Sequence, residues 1–318
     1  MKFKAVFSER GLRTLEKGLL PTLEKFGKSC QMLVGPEDLH LIQTGLNTDG
    51  MQITARWASD VLFEPDTYRV QSRHNNLIAF SFDLALLSRV LRAAAQNDAD
   101  MLEMKLAMRS VPVSGGAQPV AKPFLTFVCR GHNLHMVQDL PITKPYPASE
   151  IDRLVLEKEV VTLCPYYLDL QGEIMRLQAI VDKLKSISSS MNLVTTKGGS
   201  LHIQVEAQGI QLGTEIQGLG VYPAAVAAEN TPLATSTPEA RLQEALDNGD
   251  AFMANIQIKH FAKSLHSSQL TSPAQLLCGI GENQGHVHLM FVYRDPNSEA
   301  GFDDNISLSY KLPVRDDS

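Results

Sequence analysis

Two histidine pairs are the residues whose type and spacing could hold a metal. His286 and His288 are two apart, hence on one side of any strand that carries them, and His132 and His135 flank a turn. Imidazole pairs suit zinc or copper, but such a site needs further donors, and none accompanies either pair at a supporting spacing. Both are therefore read as surface histidines, with a metal-dependent enzyme built on His286 and His288 as the alternative from another class. The run Gly279-Ile280-Gly281-Glu282-Asn283-Gln284-Gly285 has the glycines of a dinucleotide loop but lacks the helix that must follow one. Val287, Leu289 and Phe291 alternate as in a strand, so the run is a hairpin turn. There is no Gly-x-Ser-x-Gly elbow and no Walker loop, and Asp303-Asp304 and Asp316-Asp317 read as solvated charge. No catalytic residue, metal or cofactor is expected.

The second chemistry open to this chain is contact with phosphate. Arg13 and Lys17 are four apart, Arg89 and Arg92 three apart, and Lys259 and Lys263 four apart, each pair off the apolar stripe of a helical segment. Residues 10–28, with Lys25 and Lys28, carry a balance of +3; residues 84–97 and 259–268 carry +2 each; residues 168–187, with Arg176, Lys183 and Lys185, are neutral. These four stretches hold +7 in a chain of net charge −6, which leaves −13 for the rest. Basic helices on an acidic body have two readings, the solvated face that any amphipathic helix needs and, because the pattern recurs on three of the four helices, a surface that contacts phosphates without reading bases.

The elements that must position these residues repeat. Leu33-Val34, a turn and Leu39-His40-Leu41 are answered by Leu193-Val194, a turn and Leu201-His202-Ile203; Gly50-Met51-Gln52-Ile53 is answered by Gly209-Ile210-Gln211-Leu212. Strands are expected at 2–7, 30–34, 38–44, 51–57, 67–71, 77–82, 101–108, 123–130 and 133–140, with helices at 10–26, where Pro21 should kink or shorten the winding, and at 84–97, capped by Asp83. The second half repeats the order with strands at 160–164, 191–196, 200–206, 210–217, 251–257, 274–280, 286–293 and 305–312, and helices at 168–187 and 259–267. Domains are expected at 1–140 and 160–318, joined by a Pro-containing linker at 141–159, with a flexible loop at 111–123 and a mobile insertion at 219–249. The fold class is α+β, with antiparallel meanders carrying helices on one face and solvent on the other.

At 318 residues with 44% hydrophobic and 20% charged, the chain has the composition of two globular domains. The start Met1-Lys2-Phe3-Lys4 has no apolar core of a signal peptide, and no run is long enough to span a bilayer, so an intracellular protein without a membrane partner is expected. Cys30, Cys129, Cys164 and Cys278 are scattered and read as free thiols.

Several fragments also carry a family resemblance across nearly the whole chain. Met1-Lys2-Phe3, Lys25, Lys28-Ser29-Cys30, Leu84–Asn97, Asp139-Leu140-Pro141-Ile142, Lys183-Leu184-Lys185-Ser186-Ile187-Ser188, Ile258-Lys259, Leu277-Cys278 and Tyr310–Pro313 resemble the Hus-one family of checkpoint proteins. That resemblance implies a DNA-clamp fold similar to PCNA, in a non-enzymatic subunit of the heterotrimeric nine-one-one ring. It implies two paralogous clamp subunits, a clamp loader, double-stranded DNA, and checkpoint and repair proteins as partners, in the nucleus with the cytoplasm as a second location. A homotrimeric replication clamp is the alternative within the fold. On the resemblance, Arg13, Lys17, Lys25, Lys28, Arg89, Arg92, Arg176, Lys183, Lys185, Lys259 and Lys263 line the DNA channel. The strands carrying Leu134, Met136 and Gln138, and Ile210, Leu212, Thr214 and Ile216, would close the ring, while Ile142, Tyr146, Leu312 and Pro313 would line a groove for partner peptides.

Overall fold

The computed structural model describes the chain except residues 46–47, 98–99, 113–118, 133, 160–163, 208, 224–225, 227–236, 272, 294–302 and 316–318. Two compact units result, the first built from Met1–Asp49, Ile53–Glu159 and Asn305–Ser307, the second from Gly50–Gln52, Val160–Asp304 and Leu308–Ser318.

The first unit opens with β1 (Lys2–Val6) and α1 (Glu9–Thr14), whose Ser8 cap accepts a bond from Gly11 N at 2.9 Å. A side chain at position 11 would collide with the backbone of Leu62, so glycine lets α1 pack there. Pro21 neither shortens nor breaks the winding. Residues Leu15–Leu19 widen into a π-helix and Pro21 falls in the first turn of α2 (Leu20–Glu24), where its missing N–H and its ring are tolerated. The meander β2 (Ser29–Val34), β3 (Asp38–Gln43) and β4 (Gln52–Ala58) follows, then α3 (Ser59–Leu62), β5 (Arg69–Gln71), β6 (Ile78–Asp83) and α4 (Leu84–Gln96), which Asp83 caps through Leu86 N at 3.2 Å. The strands β7 (Met101–Val111), β8 (Val120–Gly131) and β9 (Leu134–Pro141) run further than expected and take the ends of the proposed loop into their ladder, Val111 opposite Val120. One sheet has the order β5-β1-β7-β8-β9, and a second run has the order β4-β3-β2-β6. Between them lies a core of Leu15, Leu19, Met32, Leu41, Phe80, Leu87, Leu91 and Met104.

The linker is not an extended bridge. Ile142 pairs with Phe82, Thr143 N donates to Ser81 O at 2.9 Å and Tyr146 N donates to Ala79 O at 2.8 Å, so residues 142–146 run along the outer edge of β6. Residues Ala148–Glu159 then form α5, which buries Ile151 and Leu154 on Leu33, Ile42 and Ala79. These positions alternate with Met32, Leu41 and Phe80, so α5 covers the face of the β2–β3–β6 sheet opposite the main core. The expected solvent-facing surface is thus a second, smaller core.

The second unit holds β10 (Tyr167–Asp169), α6 (Ile174–Leu184), β11 (Ser190–Thr196), β12 (Leu201–Ala207), β13 (Ile210–Ile216), β14 (Val221–Tyr222), α7 (Pro238–Asp247), β15 (Ala251–Gln257), α8 (Ile258–Leu265), α9 (Ser268–Thr271), β16 (Gln275–Ile280), β17 (His286–Tyr293) and β18 (Asp303–Pro313). The helix expected from 168 starts later because Leu168 and Asp169 pair with Cys278 and Leu277. The strand placed at 160–164 lies, but for Cys164, outside the described residues. The sheets have the orders β14-β10-β16-β17-β18 and β13-β12-β11-β15, with Leu177, Val181, Phe261 and Leu265 of α6 and α8 in the core. The glycine run is the turn between β16 and β17, closed by Gly281 N to His286 O at 3.0 Å. Within the insertion, the sequence of Glu239–Leu246 suits a helical turn, and α7 is that turn in longer form, capped by Thr237.

Leu154 and Leu156 separate burial from mere apolarity on α5, because Leu154 is 1% exposed and Leu156 is 60% exposed. Leu154→Ala should cost about 2–4 kcal/mol in the urea transition of the first unit, whereas Leu156→Ala should change it by less than about 0.5 kcal/mol. The fluorescence of Trp57, the single tryptophan, buried in β4, follows that transition.

Candidate nucleic-acid and subunit interfaces

All eleven basic residues singled out from the sequence are exposed on the helices or at their ends. They fall into two electrostatic groups. In the first unit, the side chains of Arg13, Lys17, Lys25, Lys28, Arg89 and Arg92 make no ion pair among the described residues. Lys28, Arg89 and Arg92, with Ser88, Gln96 and one carboxylate, Glu24, line an open cleft of about 580 Å³ where the end of α2 meets α4. In the second unit, Arg176 lies 3.4 Å from Glu173 and Lys185 lies 2.9 Å from Asp182, each three residues away on α6 or its approach. Lys183, Lys259 and Lys263 are exposed. The neutral balance of the 168–187 stretch is therefore realised as local ion pairs.

The strand edges divide in the same telling way. β6 is filled by residues 142–146, and β15 is filled by the segment after β18, since Ile256 pairs with Val314 and Arg315 N donates to Asn255 O at 2.8 Å. β5 and β14 are three and two residues long. β9 and β13, of eight and seven residues, end their sheets with one side of the backbone unpaired among the described residues. Long open edges are rare in proteins that stay alone, because they invite another strand.

The side chains on these edges differ in part from expectation. On β9, Met136 and Gln138 face Cys129 and Phe127 and are half-buried, so the residues offered outward are His135, Val137 and Asp139, on the alternate side of the pleat. The side chain of Leu134 lies outside the description. On β13, Ile210 and Leu212 are 60% and 41% exposed and Thr214 is half-buried, but Ile216 sits in the core and can contribute only backbone. The peptide groove also needs correction. Leu312 is fully buried, Pro313 is half-buried, and Ile142 and Tyr146 are committed to the edge and face of β6, the Tyr146 hydroxyl bonding Ser81 and, at 3.3 Å, Gln31.

One signal in the sequence marks both filled edges. Leu140-Pro141-Ile142 and Leu312-Pro313-Val314 are the same tripeptide pattern at the end of each half, and in each the third residue bridges to the strand that precedes a basic helix.

Paired units of helix-backed antiparallel sheet are the fold of sliding clamps. The PCNA of Thermococcus kodakaraensis superposes with a TM-score of 0.57 at 18% identity, covering 98% of this chain and all of that one. The proliferating cellular nuclear antigen of Entamoeba histolytica does so at 0.57 and 11%, covering 99% of each. Within that class, the chain belongs to the Hus1-like protein family, whose model matches residues 1–315. It is 26% identical to the checkpoint protein hus1 homolog of Dictyostelium discoideum, covering 99% of this chain and 98% of that one, and 23% identical to human checkpoint protein HUS1, covering 99% of each.

The histidine pair on β17 is not a surface feature. His286 and His288 are 8% and 3% exposed, and His288 Nδ1 shares a 2.9 Å hydrogen bond with the Tyr167 hydroxyl, while His132 and His135 are exposed. Among the described residues no group of three His, Cys, Asp or Glu side chains could hold a metal ion. Burial, then His286 and Lys311 nearby, lowers His288 to about 4. The unfolded chain, with an ordinary imidazole near 6.5, thus binds the proton first, so the stability that rests on a neutral His288 falls as pH drops from about 6.5 to 4, and this residue takes nothing further below. The loss should be on the order of 3 kcal/mol in urea unfolding of the second unit, and His288→Phe should flatten that limb.

Proposed function

We propose that this chain is one subunit of a heterotrimeric checkpoint clamp that encircles DNA and serves as a recruiting platform for checkpoint signalling and repair proteins in the nucleus. The observation that carries this reading is the pairing of two long open edges with exposed basic helices in a member of the Hus1-like family. One edge per neighbour closes a ring, β9 on one side and β13 on the other. The clamp loader would place that ring on duplex DNA. Arg and Lys side chains on mobile stems, set on helices that enter no groove, hold phosphates loosely and release counterions as they do so, which favours sliding over fixed recognition.

The grip should be uneven. Around the cleft of Lys28, Arg89 and Arg92 only Glu24 opposes the charge, whereas on α6 two of three basic residues are shared with carboxylates one turn away. A scaffold role accords with a family and a fold that are non-enzymatic.

Changing Lys25, Arg89, Arg92 and Lys259 to Ala together should weaken duplex binding by the assembled ring while leaving assembly intact. In fluorescence anisotropy, the slope of log K against log salt should become shallower by about 0.9 for each lost phosphate contact. Arg176, Lys183 and Lys185 changed together should have a smaller effect than Lys28, Arg89 and Arg92. An unchanged low-salt affinity in the fourfold variant would count against the channel assignment.

A further inference from the structure

The insertion helix α7 is fastened to the open edge strand of the second unit. Arg241 forks onto Glu215 of β13, with Nε 3.1 Å from Oε1 and the other nitrogen bonded to Oε2, and both side chains are largely buried. His202 of β12 lies 3.7 Å behind the same carboxylate, and Leu242 is buried on the sheet. Burial alone would raise Glu215, but its bonds from Arg241 and Gln217 hold it below the usual carboxylate range. A buried, bidentate pair of this kind fixes orientation more than it adds stability.

This anchoring leaves a notch. His202, Gln204, Gly213, Thr214, Glu239 and Leu242 line a shallow cleft of about 20 Å³ between β13 and the first turn of α7. A Cβ on Gly213 would meet no heavy atom within 4 Å, so the space above that residue is open. Gly213 lies on the strand whose far side is unpaired among the described residues, and Glu239, exposed at the rim, stands beside the Glu215–Arg241 pair. One negative charge is left over beside an open strand edge.

We propose that β13 and α7 form one docking surface, in which a Lys or Arg side chain from the edge strand of a neighbouring clamp subunit lies across the notch over Gly213. The proposal rests on the ring reading above. A strand added to β13 directs every second side chain toward α7, and the one beside Gly213 can lay its methylene stem over Leu242 and bring its cation to Glu239. A second copy of this chain does not fit. The outward face of its own β9 offers His135, Val137 and Asp139, and Asp139 is already held by Arg109 at 3.1 Å and Thr126 at 2.5 Å. The notch therefore selects a different subunit, in part by rejecting an acid at that position.

The test uses the full chain and its two clamp-fold paralogues, purified separately, with affinities from sedimentation velocity. Gly213→Val narrows the notch from a Cβ position that meets no heavy atom within 4 Å and suits a strand, so it should keep the melting temperature yet weaken the β13-side complex at least tenfold. Glu239→Lys should weaken it similarly, and Lys or Arg to Glu at the facing partner position should restore binding to that variant. Wild-type affinity in both variants, while Ile210→Asp with Leu212→Asp abolishes the complex, would overturn the notch and leave ring closure standing. Wild-type affinity in the edge variant too would overturn both.

Discussion

An antiparallel sheet must do something with its outermost backbone, and that constraint organises this protein. Each unpaired N–H and C=O on an edge is a hydrogen bond waiting for a partner. The chain closes β6 and β15 with its own Leu-Pro-Ile and Leu-Pro-Val segments and keeps β5 and β14 very short. What is left is β9 and β13, one long edge in each unit. The need for company follows from which edges were closed in cis and which were not.

The same logic extends to the faces. A four-stranded run with helices on only one side has a second face to cover. In the first unit α5 does so with Ile151 and Leu154; in the second α7 does so with Leu242 and the Arg241–Glu215 pair. The two covers come from different places in the sequence, one from the linker and one from an insertion. They leave different surfaces, an apolar seam under α5 and a charged notch beside β13. The helices on the opposite faces keep their cations exposed, more so in the first unit than in the second, where α6 neutralises its own. Of the two histidines on β17, His288 is packed against Tyr167, and among the described residues no group of three His, Cys, Asp or Glu could hold a metal ion.

Much of this was legible beforehand because strand and helix periods were clean. Both echoed stretches form paired hairpins, β2 with β3 and β11 with β12, although the register differs by one residue, Leu33 standing opposite His40 while its counterpart Leu193 stands opposite Ile203, and Asp83 caps its helix. The linker was harder. Its prolines and charges, Pro141, Pro145, Pro147, Glu150, Asp152, Arg153 and Glu157, mask a helix whose inward face is only Ile151, Leu154 and part of Val155. Pro21 was expected to kink or shorten the first helix because a π-helical turn leaves no mark in residue type. The pleat parity of β9 could not be fixed from a strand with half-buried residues on one side and Val137 on the other, so the sequence did not show that His135, Val137 and Asp139 are its more exposed set. His288 is packed against Tyr167, 121 residues away, and no local pattern records that contact.

The central claim is that the two open edges belong to two different neighbours. Native mass spectrometry of this chain mixed with its two clamp-fold paralogues tests it most directly. The account predicts one copy of each subunit in a single closed complex, and a monomer when this chain is alone at the same concentration. A trimer of this chain by itself, or a chain that stays monomeric with both paralogues present, would contradict it.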